Sequence, residues 1–114
     1  MSLSSSAPWL NYYGDVPKHL SYPQKTIYQM VQAAAKRNPK FYAYEFMNKK
    51  TTFTQFMEKI DDTARAFLAM GIGRGDRVTI CMPNCPQALQ AFYALNRIGA
   101  VSNMIHPLSA AGEI

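Results

Sequence analysis

The sequence predicts an α/β fold, a short β-hairpin followed by a parallel strand–helix–strand crossover, with helices flanking both. Three observations predict it. Aromatic and β-branched residues gather on either side of Asn48-Lys49-Lys50, as in two strands around a polar turn. A long apolar stripe of helical period fills residues 54–70. Pro86 and Gly99 then bracket an apolar helical segment that has a short apolar run on each side.

The elements follow in order. Residues 1–25 read as an irregular arm, with prolines, a glycine and aromatic side chains but no sustained period, laid on a surface through Trp9, Tyr12 and Tyr13. Residues 26–114 read as the α/β part. Thr26 caps a helix in which Ile27, Met30, Val31, Ala34 and Ala35 recur at helical spacing, with Lys36 and Arg37 at its negative end before Pro39. Tyr42–Met47 and Thr51–Phe53 supply the hairpin strands. Thr54 is the expected cap of the next helix. Its apolar face holds Phe56, Met57, Ile60, Ala64, Phe67 and Leu68, with Glu58, Lys59, Asp61, Asp62 and Arg65 mostly opposite.

Gly71 ends that helix, and Arg77–Met82 reads as a strand stopped by Pro83. Helix 87–98 is apolar nearly all round, so it is expected to be buried on more than one side. Gly99 stops it, and Ala100–Ile105 forms the next strand, joined by a right-handed parallel crossover. Ser109 offers a cap for one more helix. The chain stops there at Ile114, which predicts a truncated chain.

Composition narrows the function classes. With 12 Lys and Arg against 7 Asp and Glu the formal charge is +5, but the basic residues are scattered, which argues against a nucleic-acid binder. A nucleic-acid partner would bind with a steep salt dependence. The longest strongly apolar stretch, Ala88–Leu95, falls well short of the ~20 residues a membrane span requires. The first residues carry neither the basic start nor the apolar centre of a signal peptide, and Cys81 and Cys85 are the two cysteines, so a cytoplasmic location is expected.

Chemistry-bearing features are few. Gly71-Ile72-Gly73-Arg74-Gly75-Asp76 looks like a phosphate cradle, but its order is helix, turn, strand. Phosphate would meet the carbonyl end of a helix, whereas a dinucleotide fingerprint presents the N–H end. Asp76 is expected to accept bonds from N–H groups of the turn, and Ile72 to pack back on the helix. An adhesion role for Arg74-Gly75-Asp76 needs a secreted context that nothing here marks. Cys81 and Cys85 have a spacing seen in metal sites, but His19 and His106 are the only histidines to complete about four ligands; Cys81 is expected to be a small core residue. His106 follows a strand end, where open α/β sheets collect ligands, and is the candidate for lining a pocket in a larger protein. Ser102 and Ser109 lack the setting of a nucleophile. No catalytic, cofactor-binding or metal-binding residue is assigned.

Four blocks in order carry a resemblance: Thr52-Phe53-Thr54-Gln55-Phe56, Met70 through Gly71, Gly75 and Asp76 to Val78, Met82-Pro83-Asn84-Cys85-Pro86, and Ile98-Gly99-Ala100-Val101. Together they resemble the start of acyl-adenylate-forming (AMP-binding) enzymes, the superfamily of acyl-CoA ligases, luciferases and peptide-synthetase adenylation domains. The Pro8-Trp9-Leu10 arm resembles the long-chain fatty-acyl-CoA ligase branch. The resemblance implies a partial N-terminal subdomain of that fold. Gly71, Gly75, Asp76, Pro83, Asn84, Pro86 and Gly99 are then structural signature residues. It also implies a parent that uses ATP, Mg²⁺ and CoA to convert a carboxylic acid, fatty or otherwise apolar, through acyl-AMP to a thioester. The family's Ser/Thr-Gly-rich phosphate loop, its acidic nucleotide site and its mobile-domain lysine do not occur in these 114 residues, and His106 stands where many members carry asparagine. The fragment alone is therefore expected to be inactive and, with sheet and helix surface uncovered, to self-associate as a dimer. The alternative is a free-standing interaction module on the same scaffold.

Overall fold

Two threonines open the first two long helices in the same way. The computed structural model describes residues 7–113, so the N-terminal six residues, read above for a targeting signal, and Ile114 lie outside the described residues. At helix α1 (Ile27–Arg37) the Thr26 hydroxyl accepts the Gln29 N–H at 3.1 Å, and the Thr26 N–H donates to the Gln29 side-chain oxygen at 3.0 Å. Helix α2 (Phe53–Ala69) has the same reciprocal pair between Thr52 and Gln55. Thr52, not Thr54, is therefore the cap. Thr54 lacks a Gln or Glu three residues on, and its hydroxyl donates instead to the Pro39 carbonyl at 3.0 Å.

Between these helices, β1 (Tyr42–Phe46) and β2 (Lys49–Thr52) form an antiparallel hairpin. Its turn is Met47-Asn48, both at positive φ (50° and 65°), so Lys49 and Lys50 belong to the strand and not to the turn. Two central residues at positive φ give the turn whose twist matches paired strands. Downstream, β3 (Arg77–Cys81), α3 (Pro86–Ile98) and β4 (Val101–Ile105) make the strand–helix–strand unit, with β3 and β4 paired in parallel from Arg77 opposite Val101 to Cys81 opposite Ile105. Ala111–Glu113 form a 3₁₀ turn where a further helix was expected.

The core is two adjoining clusters. Tyr28, Phe56, Ile60, Ala64 and Ala94 bring α1, α2 and α3 together, and Ile80, Ala88, Ala91 and Leu95 bind α3 to the sheet. Phe67 and Ile98 pack against both. Burial of α3 on several sides explains its unbroken apolar sequence. Edge-on ring contacts then carry the hairpin: Tyr44 meets Phe56 at 5.3 Å, Phe56 meets Tyr93 at 5.8 Å, and Tyr93 meets Phe92 at 5.3 Å between centroids.

Three further expectations are corrected. On α1 the inward positions are Tyr28, Val31 and Ala35, leaving Ile27 and Met30 outside, because Tyr28 turns inward to a polar partner on α2. In the arm, Pro8–Tyr12 is a 3₁₀ helix, so residues three apart share a face. Ala7 and Leu10 are buried and Tyr13 half-buried, whereas Trp9 and Tyr12 are exposed. Cys81 is exposed instead of core, since only alternate residues of β3 face α3, and Ile80 takes that face.

Candidate functional site

The glycine-rich turn joins the ends of two helices to the start of a sheet. Gly71 (φ 89°) ends α2 in the left-handed conformation; its N–H donates to the Leu68 carbonyl at 3.0 Å, and the Ile72 N–H donates to Phe67 at 3.1 Å. Gly99 (φ 80°) ends α3 with the same pattern, from its own N–H to Asn96 and from Ala100 to Leu95. Each is the helix stop that glycine favours. The two stops are tied together, because the Gly75 N–H donates to the Gly99 carbonyl at 2.9 Å and the Val101 N–H to the Asp76 carbonyl at 2.7 Å. Within the turn, the Asp76 carboxylate accepts the Gly73 N–H at 2.8 Å. A β-carbon on Gly99 would lie 3.2 Å from the Arg74 side chain. What faces this turn is the carbonyl ends of α2 and α3, whose partial charge repels an anion. Gly71, Gly75, Asp76 and Gly99 thus shape the entry to β3 and β4.

At the opposite end of the crossover, Pro83 and Asn84 lead out of β3, and Cys85 and Pro86 start α3. This corner walls an open cavity of about 480 Å³. One side is Pro86, Ala88, Leu89 and Phe92 of α3; Tyr44 and Phe46 of the hairpin and Met104 of β4 close the others. A second cleft of about 160 Å³ shares Tyr44, Phe46 and Pro86 and adds Lys49, Lys59 and Gln87. Sequence spacing alone gave no hint of these clefts, because the hairpin and the start of α3 are about forty residues apart and are brought together by tertiary packing, with Phe56 of α2 meeting the rings of both Tyr44 and Tyr93.

A polar latch closes the far side of the core. The Tyr28 hydroxyl donates to Asp61 at 2.8 Å, the Arg97 guanidinium bonds the same carboxylate oxygen, and Arg97 lies over the Tyr28 ring at 5.1 Å. Asn96 accepts the Tyr28 backbone N–H at 2.9 Å. Burial, and then the hydrogen bond to Asp61, push the Tyr28 hydroxyl above its ordinary pKa of 10.0, against the opposing pull of Arg97.

His106 is exposed just beyond β4; its Nδ1 accepts the Leu108 N–H at 3.1 Å, and it lines neither cleft. Cys81 and Cys85 are both free thiols, and Cys85 alone reaches the larger cavity. Among the described residues no three His, Cys, Asp or Glu side chains converge as metal ligands. Among the described residues no helix is long and apolar enough to cross a membrane.

This arrangement of helices, hairpin and parallel pair matches part of the N-terminal subdomain of acyl-adenylate-forming enzymes. The inhibitor-bound N-terminal domain of FACL13 from Mycobacterium tuberculosis superposes with a TM-score of 0.74 at 32% identity, over 79% of this chain and 23% of that one. The family model described as AMP-binding enzyme matches residues 31–114, and the chain belongs to that family. It is 32% identical over 113 residues to a long-chain-fatty-acid–CoA ligase of Bacillus subtilis, covering 98% of this chain and 20% of that protein. It is also 37% identical over 73 residues to an acetyl-coenzyme A synthetase of Allorhizobium ampelinum, covering 60% of this chain and 11% of that one. The chain spans about a fifth or less of the length of these relatives.

Proposed function

We propose that the chain is the N-terminal part of an ATP-dependent acid–thiol ligase of the long-chain fatty-acyl-CoA type. The parent joins a fatty or other apolar carboxylate to AMP, using ATP and Mg²⁺, and passes the acyl group to CoA in the cytoplasm. The observation that carries this reading is the breadth of one likeness. Similarity to the Bacillus fatty-acid ligase runs through the arm as well as the α/β part, whereas that to the acetyl-CoA synthetase covers 60% of the chain. In this reading the 114 residues supply scaffold. The glycine-rich turn and the Pro83–Pro86 corner fix the parallel pair on which further strands build, and the chain by itself is inert.

Two measurements test this. Pyrophosphate release from the 114-residue chain given ATP, Mg²⁺, palmitate and CoA is expected to stay at background, and clear turnover refutes inertness. The complete product of the gene is expected to show a higher kcat/KM for palmitate than for acetate; the reverse order removes the long-chain assignment. We also propose that the isolated chain self-associates through the bare β3–β4 face, where Val101 is 48% exposed and Cys81 and Asn103 lie open. Light scattering is expected to give a dimer mass, and a monomer at high concentration overturns it.

A further inference from the structure

We infer that α1 is a latched strap, which opens from the α2–α3 surface as one unit, starting at its Tyr28 end, while α2, α3 and the parallel strands stay folded. Its two ends are fastened by different means. At the C-terminal end the fastening is backbone. The Pro39 carbonyl accepts both the N–H and the hydroxyl of Thr54, at 3.2 and 3.0 Å, and the Phe41 carbonyl accepts the Phe53 N–H at 2.9 Å. These bonds tie the chain just beyond α1 to the start of α2, so this end acts as the pivot.

The N-terminal end is held by side chains of the other two helices. First-turn N–H groups of a helix have no partner within it. Thr26 accepts that of Gln29, and Asn96 of α3 reaches across to accept that of Tyr28 at 2.9 Å. A different helix thus supplies part of the α1 cap. The Tyr28 hydroxyl donates to Asp61 of α2 at 2.8 Å, and Arg97 of α3 lies over its ring. Asp61 and Arg97 also bond each other, a contact between α2 and α3 that needs no residue of α1. The receiving half of the latch therefore stays assembled when α1 leaves.

Between the two ends the apolar grip is slight. Helix α1 contributes Tyr28 and Ala35 to the buried residues and Val31 at partial burial, whereas Ile27 and Met30 stay exposed. By contrast, α2 buries Phe56, Ile60 and Ala64, and α3 buries Ala88, Ala91, Ala94 and Leu95. Apolar burial is the main force joining elements and each hydrogen bond adds a modest increment, so α1 separates at lower cost than α2 does from α3. Opening uncovers Phe56, Ile60, Ala64 and Ala94, the residues Tyr28 joins in the core. The latch thus governs access to an apolar face that the closed chain hides.

Amide hydrogen exchange of the full 114-residue chain, under conditions in which rates report opening equilibria, tests this. The bonded amides of residues 30–37 are expected to exchange faster than those of residues 91–95. Their rates should hold steady at low urea, because a local opening exposes little surface, while those of α3 quicken. Tyr28→Phe should speed α1 exchange about two- to twelvefold, the equivalent of one lost hydrogen bond. Ile80→Val separates local from global opening, since Ile80 packs in the cluster between β3 and α3 that contains no α1 residue. It should speed α3 exchange by a similar factor, about two- to twelvefold, and leave α1 unchanged. Equal acceleration of α1 and α3 in Ile80→Val would mean that α1 opens only when the whole chain does, and overturns the inference. So does α1 exchange that Tyr28→Phe leaves unaltered, or α1 amides as protected and as urea-sensitive as those of α3.

Discussion

The two sides of α3 differ in how completely they are closed. Toward α1, α2 and β3, Ala94 and Leu95 have no exposure, and Tyr28, Asp61, Asn96 and Arg97 are tied to one another by hydrogen bonds. Toward the hairpin and β4, Leu89 and Met104 stay 42% and 55% exposed, and Lys49 and Lys59 have no ion partner among the described residues. One helix therefore separates the surface that holds the fold from the surface left for ligands or further chain.

The largest effect that tests this division is cavity creation. Leu95→Ala removes a fully buried side chain and is expected to cost about 2–5 kcal/mol, a large share of the stability of a chain of this size. Leu89→Ala, on the open side of the same helix, should cost under about 1 kcal/mol. Urea midpoints compare the two. Similar losses would show that the open side carries as much of the fold as the closed side.

Next in size is the glycine junction. Gly99→Ala places a β-carbon 3.2 Å from the Arg74 side chain at a positive φ, and should cost about 1–2 kcal/mol. Gly73→Ala meets no atom within 4 Å at a residue whose φ is not positive, and should be neutral within about 0.5 kcal/mol. Thermal unfolding of both variants separates the two glycines. Equal effects would mean that the turn tolerates a side chain anywhere, which the Gly75–Gly99 bond argues against.

Much of this closed side was legible in the sequence, because its determinants are local. Gly71 and Gly99 stop helices by their own conformation, Thr26 caps α1 within four residues, and Asp76 accepts within its own turn. The cap of α2 was misplaced although its signal was present. Thr52 is followed three residues later by Gln55, whereas Thr54 is followed by Met57. The hairpin turn was harder to place, since methionine seldom takes the positive φ of Met47. Cys81 and the paired clefts could not be read at all. Exposure on β3 depends on what covers the sheet, and the clefts depend on a hairpin and a helix start brought together across the core. The family resemblance was carried by the same local glycine and proline blocks, of which Asn84, Cys85 and Pro86 also line the larger cavity.

The smallest effect tests whether the closed side is held by its latch as well as by its apolar core. Tyr28→Phe keeps the ring over which Arg97 lies and removes one hydroxyl, leaving Asp61 still paired with Arg97. The expected cost is about 0.5–1.5 kcal/mol near neutral pH. The pH dependence gives the sharper reading. Burial and the Asp61 hydrogen bond raise the hydroxyl's pKa in the folded chain above its ordinary 10.0, so the folded state holds the proton longer than the unfolded one. The resulting stability is complete below pH 10 and declines as pH rises through the folded value. The native chain should therefore lose stability more steeply than Tyr28→Phe above pH 10, and their unfolding midpoints should converge there. Parallel pH profiles would mean that the hydroxyl is no better held folded than unfolded, leaving the three helices joined by packing, by the Arg97–Asp61 pair and by the Asn96 contact to the α1 backbone.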